Sequence, residues 1–199
     1  MRIGLVPLSA KPYHAGHHAL VSKASQQNDE VLLHVSLVDR RRKGEFPITG
    51  NSMKRIWEEE IENILPGNVT VVYGGSPVRN IYKILQDAEE KVITQNDLEH
   101  TYTVYSDPSD TAINFSEANR LKYFPTAYDE GYVKFAAEMD PDAFTRGVGT
   151  PDIRGEDLRA SLQSKDMQAF GEKMPPGVNV ENIYNILQGQ IDEQILKDY

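Results

Sequence analysis

The chain has 199 residues, a formal net charge of −9 at pH 7 and no cysteine. An acidic balance argues against non-specific nucleic-acid binding, and the missing cysteines exclude disulfides and thiolate metal sites. No apolar run approaches the roughly 18 residues that a membrane-spanning helix needs.

The length fits a single domain over residues 1–199 and allows a sizeable buried core. The first apolar run is short and polar residues follow it at once, which is not the pattern of a secretory signal. With the lack of cysteine, this predicts a cytoplasmic protein that binds neither membrane nor nucleic acid.

The first half of the chain alternates apolar runs with segments of helical periodicity. The run VLLHVSLV predicts a buried strand, and Pro66 with Gly67 marks the end of a helix. Predicted strands cover 3–8, 31–38, 69–73 and 101–105, and predicted helices cover 15–27, 51–65 and 78–90. This order predicts a Rossmann-like α/β protein with a doubly wound parallel sheet and right-handed crossovers.

The second half is less regular. Residues 108–153 show weak periodicity, with one predicted strand over 131–136. Helices are predicted over 155–162 and 180–196, so that about 155–199 form a C-terminal helical extension. The last helix carries an apolar stripe formed by Ile183, Ile186, Leu187, Ile191 and Ile195. We expect this stripe to pack on the sheet or on a partner subunit, which leaves a homo-oligomer open.

The tetrapeptide HAGH at 14–17 follows the first predicted strand and opens the first predicted helix. Residues i and i+3 of a helix project to the same side, so we expect both imidazoles to face one ligand. A helix N-terminus offers free N–H groups and a partial positive charge, which suit a phosphate. Gly16 permits close approach to the backbone, while Ser9 and Lys11 add a hydroxyl and a mobile cation. We therefore predict a phosphate site at this point.

Other candidate residues follow neighbouring strands. The basic run RRRK at 40–43 comes after the second strand, and Ser106 and Asp107 come after the fourth. Ligands of open α/β sheets bind beyond the carboxyl ends of the strands, so these residues are expected near the histidines. A basic run in an acidic chain suggests an anionic ligand, although a solvated loop explains it equally well.

The stretch GLVPLSAKPYHAGH resembles the first motif of the HxGH nucleotidylyltransferase superfamily, in which a strand, a Ser/Thr-bearing loop and HxGH follow in that order. The superfamily's second motif is a Ser-Gly-Thr-x-Ile-Arg-like segment at a late helix start. Here Gly155, Leu158, Arg159 and Leu162 match it, whereas Arg154 and Glu156 replace the two hydroxyl residues.

A third stretch, FPITGNSMKRIWEEEI, resembles the segment after the second strand in archaeal-type nicotinamide mononucleotide adenylyltransferases. Residues 75–150 lie outside the resemblance. The resemblance to this superfamily implies in-line attack of an acceptor phosphate on the α-phosphate of a nucleoside triphosphate, with release of pyrophosphate. The triphosphate is expected to be ATP, the acceptor a small phosphorylated molecule such as nicotinamide mononucleotide, and the metal Mg²⁺ held mostly by phosphate oxygens.

The resemblance also implies roles for individual residues. His14 and His17 would stabilise charge at the α-phosphate, and Lys11, Arg159 and Arg154 would hold the β- and γ-phosphates. The implied catalytic residues are His14, His17, Lys11 and Arg159. The implied nucleotide-binding residues are Pro7, Leu8, Ser9, Gly16, Ser106, Asp107, Arg154 and Gly155. The implied acceptor-binding residues are Arg41, Arg42 and Lys43.

Several alternatives stay open at this point. His14 and His18 have the i, i+4 spacing of a zinc pair but lack the glutamate of a metalloprotease helix. Class I aminoacyl-tRNA synthetases share HxGH-like motifs but are much longer chains. A cytidylyltransferase is another possibility, because RGVGT at 146–150 resembles its signature faintly. The altered second motif also fits a non-catalytic nucleotide-binding protein on the same fold.

Overall fold

A computed structural model describes the backbone of residues 1–95 and 99–197 and the side chains of these residues up to 190. Five strands form one parallel sheet in the order β3-β2-β1-β4-β5. The strands are β1 (Arg2–Leu8), β2 (Glu30–Val35), β3 (Val69–Tyr73), β4 (Thr101–Val104) and β5 (Val133–Phe135). The reversal of strand order at β1 is that of a doubly wound sheet, which confirms the predicted fold class.

Helices connect the strands and cover both faces of the sheet. They are α1 (Ala15–Gln27), α2 (Gly50–Ile56), α3 (Pro77–Gln95), α4 (Pro108–Asn114), α5 (Glu117–Tyr123), α6 (Pro125–Asp129), α7 (Ala136–Met139), α8 (Gly155–Gln163), α9 (Met167–Glu172) and α10 (Val180–Lys197). Helix α2 continues as a π-helical turn over Trp57–Ile61 and a 3₁₀ turn over Glu62–Ile64, so the single regular helix predicted over 51–65 is wrong in its second half.

The predicted end of the second strand is also wrong by three residues. Strand β2 ends at Val35. On one side Val35 pairs with Leu8, the last residue of β1, and on the other side it pairs with Tyr73, the last residue of β3. Because both neighbours end there, residues 36–38 have no strand to pair with. They begin the loop to α2 instead, where the carbonyl of Leu37 leaves no room for a side chain at Gly50.

The sheet separates two apolar clusters, and alternate residues of β1 point into each of them. Val6 and Leu8 belong to the cluster that α1, α2 and the C-terminal helices cover. Ile3 and Leu5 belong to the cluster under α3, α5 and α6. In the described part of the chain, no helix combines the length and apolar character needed to cross a membrane.

Candidate functional site

A cleft of about 720 Å³ opens at the carboxyl ends of the strands, where parallel sheets bind their ligands. Loops after β1, β2, β3 and β4 contribute to it, together with the start of α1 and the segment 144–153. Eight of the residues predicted from sequence line this cleft: Pro7, Leu8, Ser9, His14, Gly16, His17, Ser106 and Asp107.

The two histidines are held by the main chain at the start of α1. His14 is extended and caps the helix, and its Nδ1 accepts hydrogen bonds from the backbone N–H groups of Gly16 (3.0 Å) and His17 (3.4 Å). The Nδ1 of His17 accepts in turn from the N–H of His14 at 3.2 Å. The two rings stack with their centroids 3.7 Å apart. The expectation that free helix N–H groups face the ligand is therefore wrong, since His14 already occupies two of them.

These hydrogen bonds fix the tautomer of both rings. A nitrogen that accepts a hydrogen bond carries no proton, so each neutral imidazole must carry its proton on Nε2. Burial, and to a smaller extent the nearby Arg146 guanidinium, lower the pKa of His14 to about 4. Burial first, and then His14 and Arg146, hold the pKa of His17 well below its ordinary value. At neutral pH the pair therefore offers the cleft two uncharged N–H donors.

Tyr13 packs with its ring between His17 and the apolar core. Its buried ring stacks on His17 with centroids 5.6 Å apart and packs on the buried Trp57 at 4.9 Å. Its hydroxyl bonds the Nδ1 of His18 at 3.0 Å, which ties His18 to the protein. Among the described residues, no group of three or more histidines or carboxylates is arranged to hold a metal ion.

Lys11 is fixed in the structure and does not line the cleft. Its Nζ donates to the carbonyl oxygens of Ser9 at 2.9 Å and Ser36 at 2.5 Å, which joins the loops after β1 and β2. Burial lowers its pKa to about 8, while Asp39 acts in the opposite direction. The prediction of a mobile cation is wrong, because both carbonyls hold the ammonium group in place.

Arg159 also lies outside the cleft lining. Its Nη1 donates to the carbonyl of Lys11 at 2.8 Å, and its Nε lies 3.6 Å from a carboxylate oxygen of Glu45. A Cβ on Gly155 would lie 2.7 Å from that Nη1, so glycine makes room for the guanidinium. The backbone N–H of Arg154 donates to Asp157 at 3.0 Å, and neither Arg154 nor Gly155 lines the cleft.

The basic run lies on the loop between β2 and α2, beside the site rather than in it. Arg40 makes two hydrogen bonds to Glu45, at 2.9 and 3.1 Å, and Arg41 pairs with Asp39 at 3.3 Å. The predicted acceptor-binding residues Arg41, Arg42 and Lys43 are exposed, and none of them lines the cleft.

Sequence reasoning missed several residues of the cleft. Arg146 lines it, and so do Asp110, Asn114 and the turn of residues 75–78 before α3. Burial raises the pKa of Asp110, and the neighbouring Asp107 carboxylate raises it further. A signal was present for the turn, because Gly-Gly-Ser-Pro after a strand is typical of a loop that enters a helix. His34 on β2 is buried, and neither of its ring nitrogens has a hydrogen-bond partner among the described residues.

No protein-family model and no curated protein matches the chain. Solved structures resemble the chain at low sequence identity. One is the crystal structure of a candidate nicotinate-nucleotide adenylyltransferase from Vibrio parahaemolyticus, at 16% identity and a TM-score of 0.51 over 94% of this chain and 97% of that one. Thermotoga maritima TmcAL bound with alpha-thio ATP matches 96% of this chain and 56% of its own, at 14% identity and a TM-score of 0.41, which is too low to establish a common fold.

Proposed function

We propose that this protein is an adenylyltransferase that moves AMP from ATP onto a small phosphorylated acceptor. The observation that carries the proposal is the stacked pair His14 and His17, whose Nδ1 atoms are bound to the main chain at the edge of the ligand cleft. The fold shared with a candidate nicotinate-nucleotide adenylyltransferase supports the same reaction class.

In the proposed reaction, an oxygen of the acceptor phosphate attacks the α-phosphorus of ATP. A new phosphorus–oxygen bond forms, the bond to the bridging β-oxygen breaks, and pyrophosphate leaves. The attacking phosphate oxygen is already ionised, so the protein need not provide a general base. Catalysis then rests on positioning and on stabilising charge as it develops.

The histidine pair suits the second task. Two Nε2–H donors held by main-chain hydrogen bonds need no reorganisation when charge grows on the α-phosphate oxygens. Stacking at 3.7 Å places both rings against the same group of the ligand. Their low pKa values keep both rings neutral in the free protein, so they act as hydrogen-bond donors before any phosphate binds.

Other residues would position the nucleotide. Ser9 and Gly16 face the same cleft beside the histidines, and Ser106 and Asp107 at the end of β4 would contact the ribose. Asp107 also caps α4 by accepting from the N–H of Asp110 at 2.7 Å. Lys11 and Arg159 would act indirectly, because they fix the main chain of the loop that carries His14.

The donor set of the cleft bears on the expected Mg²⁺. Asp107 and Asp110 offer hard oxygen ligands, but no group of three metal-binding side chains occurs among the described residues. The ion would therefore be held mainly by the triphosphate, where it neutralises phosphate charge.

The exposed Arg41, Arg42 and Lys43 are the proposed contacts for the acceptor phosphate.

The test is a measurement of pyrophosphate release with ATP or CTP and a panel of acceptors. The panel contains nicotinamide and nicotinate mononucleotides, phosphopantetheine, glycerol phosphate and sugar phosphates, each with and without Mg²⁺. We expect release with ATP and one acceptor, and a preference for CTP would identify a cytidylyltransferase. Binding of ATP with background release for every acceptor would contradict the proposal and identify a non-catalytic nucleotide-binding protein.

A further inference from the structure

Arg146 is a cation of the cleft that the sequence analysis named only within the faint cytidylyltransferase resemblance and did not assign to the site. Its side chain lines the cleft together with His14 and His17, and its charge lowers the pKa of both histidines. Within the described part of the chain, Arg146 has no carboxylate within ion-pairing distance. The guanidinium therefore makes no ion pair in the described structure, and its charge also acts to lower the pKa of the Asp110 carboxyl in the same cleft, which burial raises.

The loop that carries Arg146 is built to hold one conformation. Arg146 and Thr150 form a β-bridge, and the N–H of Gly147 donates to the Thr150 carbonyl at 2.8 Å. Gly147 has a φ of +82°, which side chains rarely adopt. A Cβ on Gly149 would lie 2.3 Å from the carbonyl oxygen of Ala143, so only glycine fits there.

Lys23 fastens this loop to α1, the helix that begins at the histidine pair. Its Nζ donates to the carbonyl oxygens of Ala143 at 2.5 Å and Gly149 at 2.7 Å, and it lies 5.5 Å from the centre of the Phe144 ring. The clamp therefore fixes the distance between Arg146 and the histidines, because both sit on structure that α1 holds.

Arg159, the arginine of the second motif, is placed differently. It is only 8% exposed, its Nη1 is bound to the Lys11 carbonyl, and Glu45 lies beside its Nε. To reach a triphosphate in the cleft, Arg159 would have to give up both contacts. Arg146 forms no ion pair with the described residues that it would have to break in order to bind a triphosphate.

We infer that Arg146 is the residue that binds the β- and γ-phosphates of the nucleotide in this chain, and that Arg159 is a positioning residue for the Lys11 loop. The inference rests on the proposed function, since it assigns the polyphosphate contact of the same site. It places the His14 and His17 donors at the α-phosphate and the Arg146 guanidinium at the leaving pyrophosphate, where it would stabilise the departing charge.

The test measures binding of inorganic tripolyphosphate and of AMP by calorimetry to the full-length protein. We expect Arg146→Gln to weaken tripolyphosphate binding by about 10- to 100-fold, which is the usual effect of removing a charge-assisted hydrogen bond. AMP binding should change by less than about threefold, because AMP has no β- or γ-phosphate. Arg146→Lys should restore part of the tripolyphosphate affinity, since lysine keeps the charge but not the planar fork.

Arg55→Gln is the matched control, because Arg55 is an exposed arginine on α2 that pairs only with Glu59 in the described structure. Equal tripolyphosphate affinity in Arg146→Gln and in the unaltered protein would overturn the inference, and so would a lack of tripolyphosphate binding by the unaltered protein. If Arg159→Lys lost tripolyphosphate affinity but kept its AMP affinity, the contact with the β- and γ-phosphates would be assigned to Arg159 instead. These binding results are independent of pyrophosphate release, so they separate a wrong assignment of Arg146 from a wrong proposal of catalysis.

Discussion

His14 has two roles that different substitutions can separate. Its Nδ1 caps α1, and its Nε2–H is the proposed donor to the α-phosphate. Asparagine is a good N-cap residue that cannot reach as far into the cleft, whereas alanine can do neither task. We expect His14→Ala to lower the free energy of unfolding by about 0.5–2 kcal/mol and His14→Asn to lower it much less.

Both variants should lose turnover, by roughly 10²- to 10³-fold, because removing one donor to a developing oxyanion has that effect. Urea unfolding and steady-state pyrophosphate release measure the two quantities separately. If His14→Asn retained both stability and turnover, His14 would be a helix cap only.

The low pKa of His14 also predicts how stability depends on pH. Its pKa is about 4 in the folded protein and about 6.5 in an unfolded chain, so the unfolded state binds the proton more readily. The stability contribution is therefore complete above about pH 6.5 and is lost progressively as the pH falls toward 4. The loss from this one group would reach roughly 3 kcal/mol.

Thermal unfolding at pH 7 and at pH 4 tests this, with His14→Asn as the reference. Carboxylates elsewhere titrate in both proteins, so the difference between the two reports the titration of His14 together with its effect on the pKa of His17. We expect the acid-induced drop in unfolding free energy to be smaller in His14→Asn. Equal drops would mean that His14 titrates normally in the folded protein.

At the scale of elements, the Arg146 loop depends on its clamp to α1. Without the Lys23 ammonium group, the carbonyls of Ala143 and Gly149 lose their shared donor. We expect Lys23→Met to destabilise the protein by about 1–3 kcal/mol and to speed hydrogen exchange at residues 145–150.

Tripolyphosphate affinity should also fall in Lys23→Met, although Lys23 touches no ligand in the proposed site. Lys91→Met is the control, because Lys91 is an exposed lysine on α3. Unchanged exchange at 145–150 in Lys23→Met would show that the two glycines alone fix the loop.

The elements that sequence predicted well are those with a strong local signal. Apolar runs marked β1 and β2, β-branched and aromatic residues marked β3 and β4, and the polar break before HAGH marked the start of α1. The region 108–130 gave no signal because α4, α5 and α6 have only five to seven residues each, too few for helical periodicity to show. The local marks were the N-caps Asp107 and Ser116 and the prolines that open α4 and α6.

The site was predictable to the extent that it follows the ends of strands. The carboxyl ends of parallel strands lie at one edge of the sheet. The residues that follow β1 and β4 therefore line the cleft, as predicted for the histidines, Ser9, Ser106 and Asp107. The positions of Lys11, Arg159 and Arg146 depend on contacts between residues 25 to 148 positions apart in the chain. Motif spacing contains no information about such contacts, so it put Arg159 in the cleft and named Arg146 only within a faint alternative signature.

For the whole molecule, the C-terminal helices share one core with the sheet. Leu158, Phe170 and Leu187 belong to the same apolar cluster as Val6 and Trp57. We therefore expect the sheet and the helices after residue 155 to unfold together, as the predicted single domain requires. The calorimetric enthalpy of unfolding should then equal the van't Hoff enthalpy, and two resolved transitions would contradict the single-domain prediction.

Gln190 provides a mutational test of this coupling. Its buried side chain accepts from the N–H of Thr49 at 2.7 Å and donates to the carbonyl of Pro47 at 3.0 Å, which links α10 to the loop before α2. Gln190→Leu leaves these half-buried groups without their partner, so we expect a loss of roughly 1–3 kcal/mol in the free energy of unfolding. The exposed Gln163 on α8 is the matched control, and Gln163→Leu should leave stability nearly unchanged.

The form of the unfolding transition in Gln190→Leu decides the matter. If α10 and the sheet unfold as one unit, the midpoint in urea falls while the slope of the transition stays constant, because the same surface is exposed on unfolding. A broader transition with a shallower slope would mean that α10 detaches first and that the sheet with its ligand cleft folds without it. ATP binding by the partly unfolded form would then show that the site does not depend on the C-terminal helix.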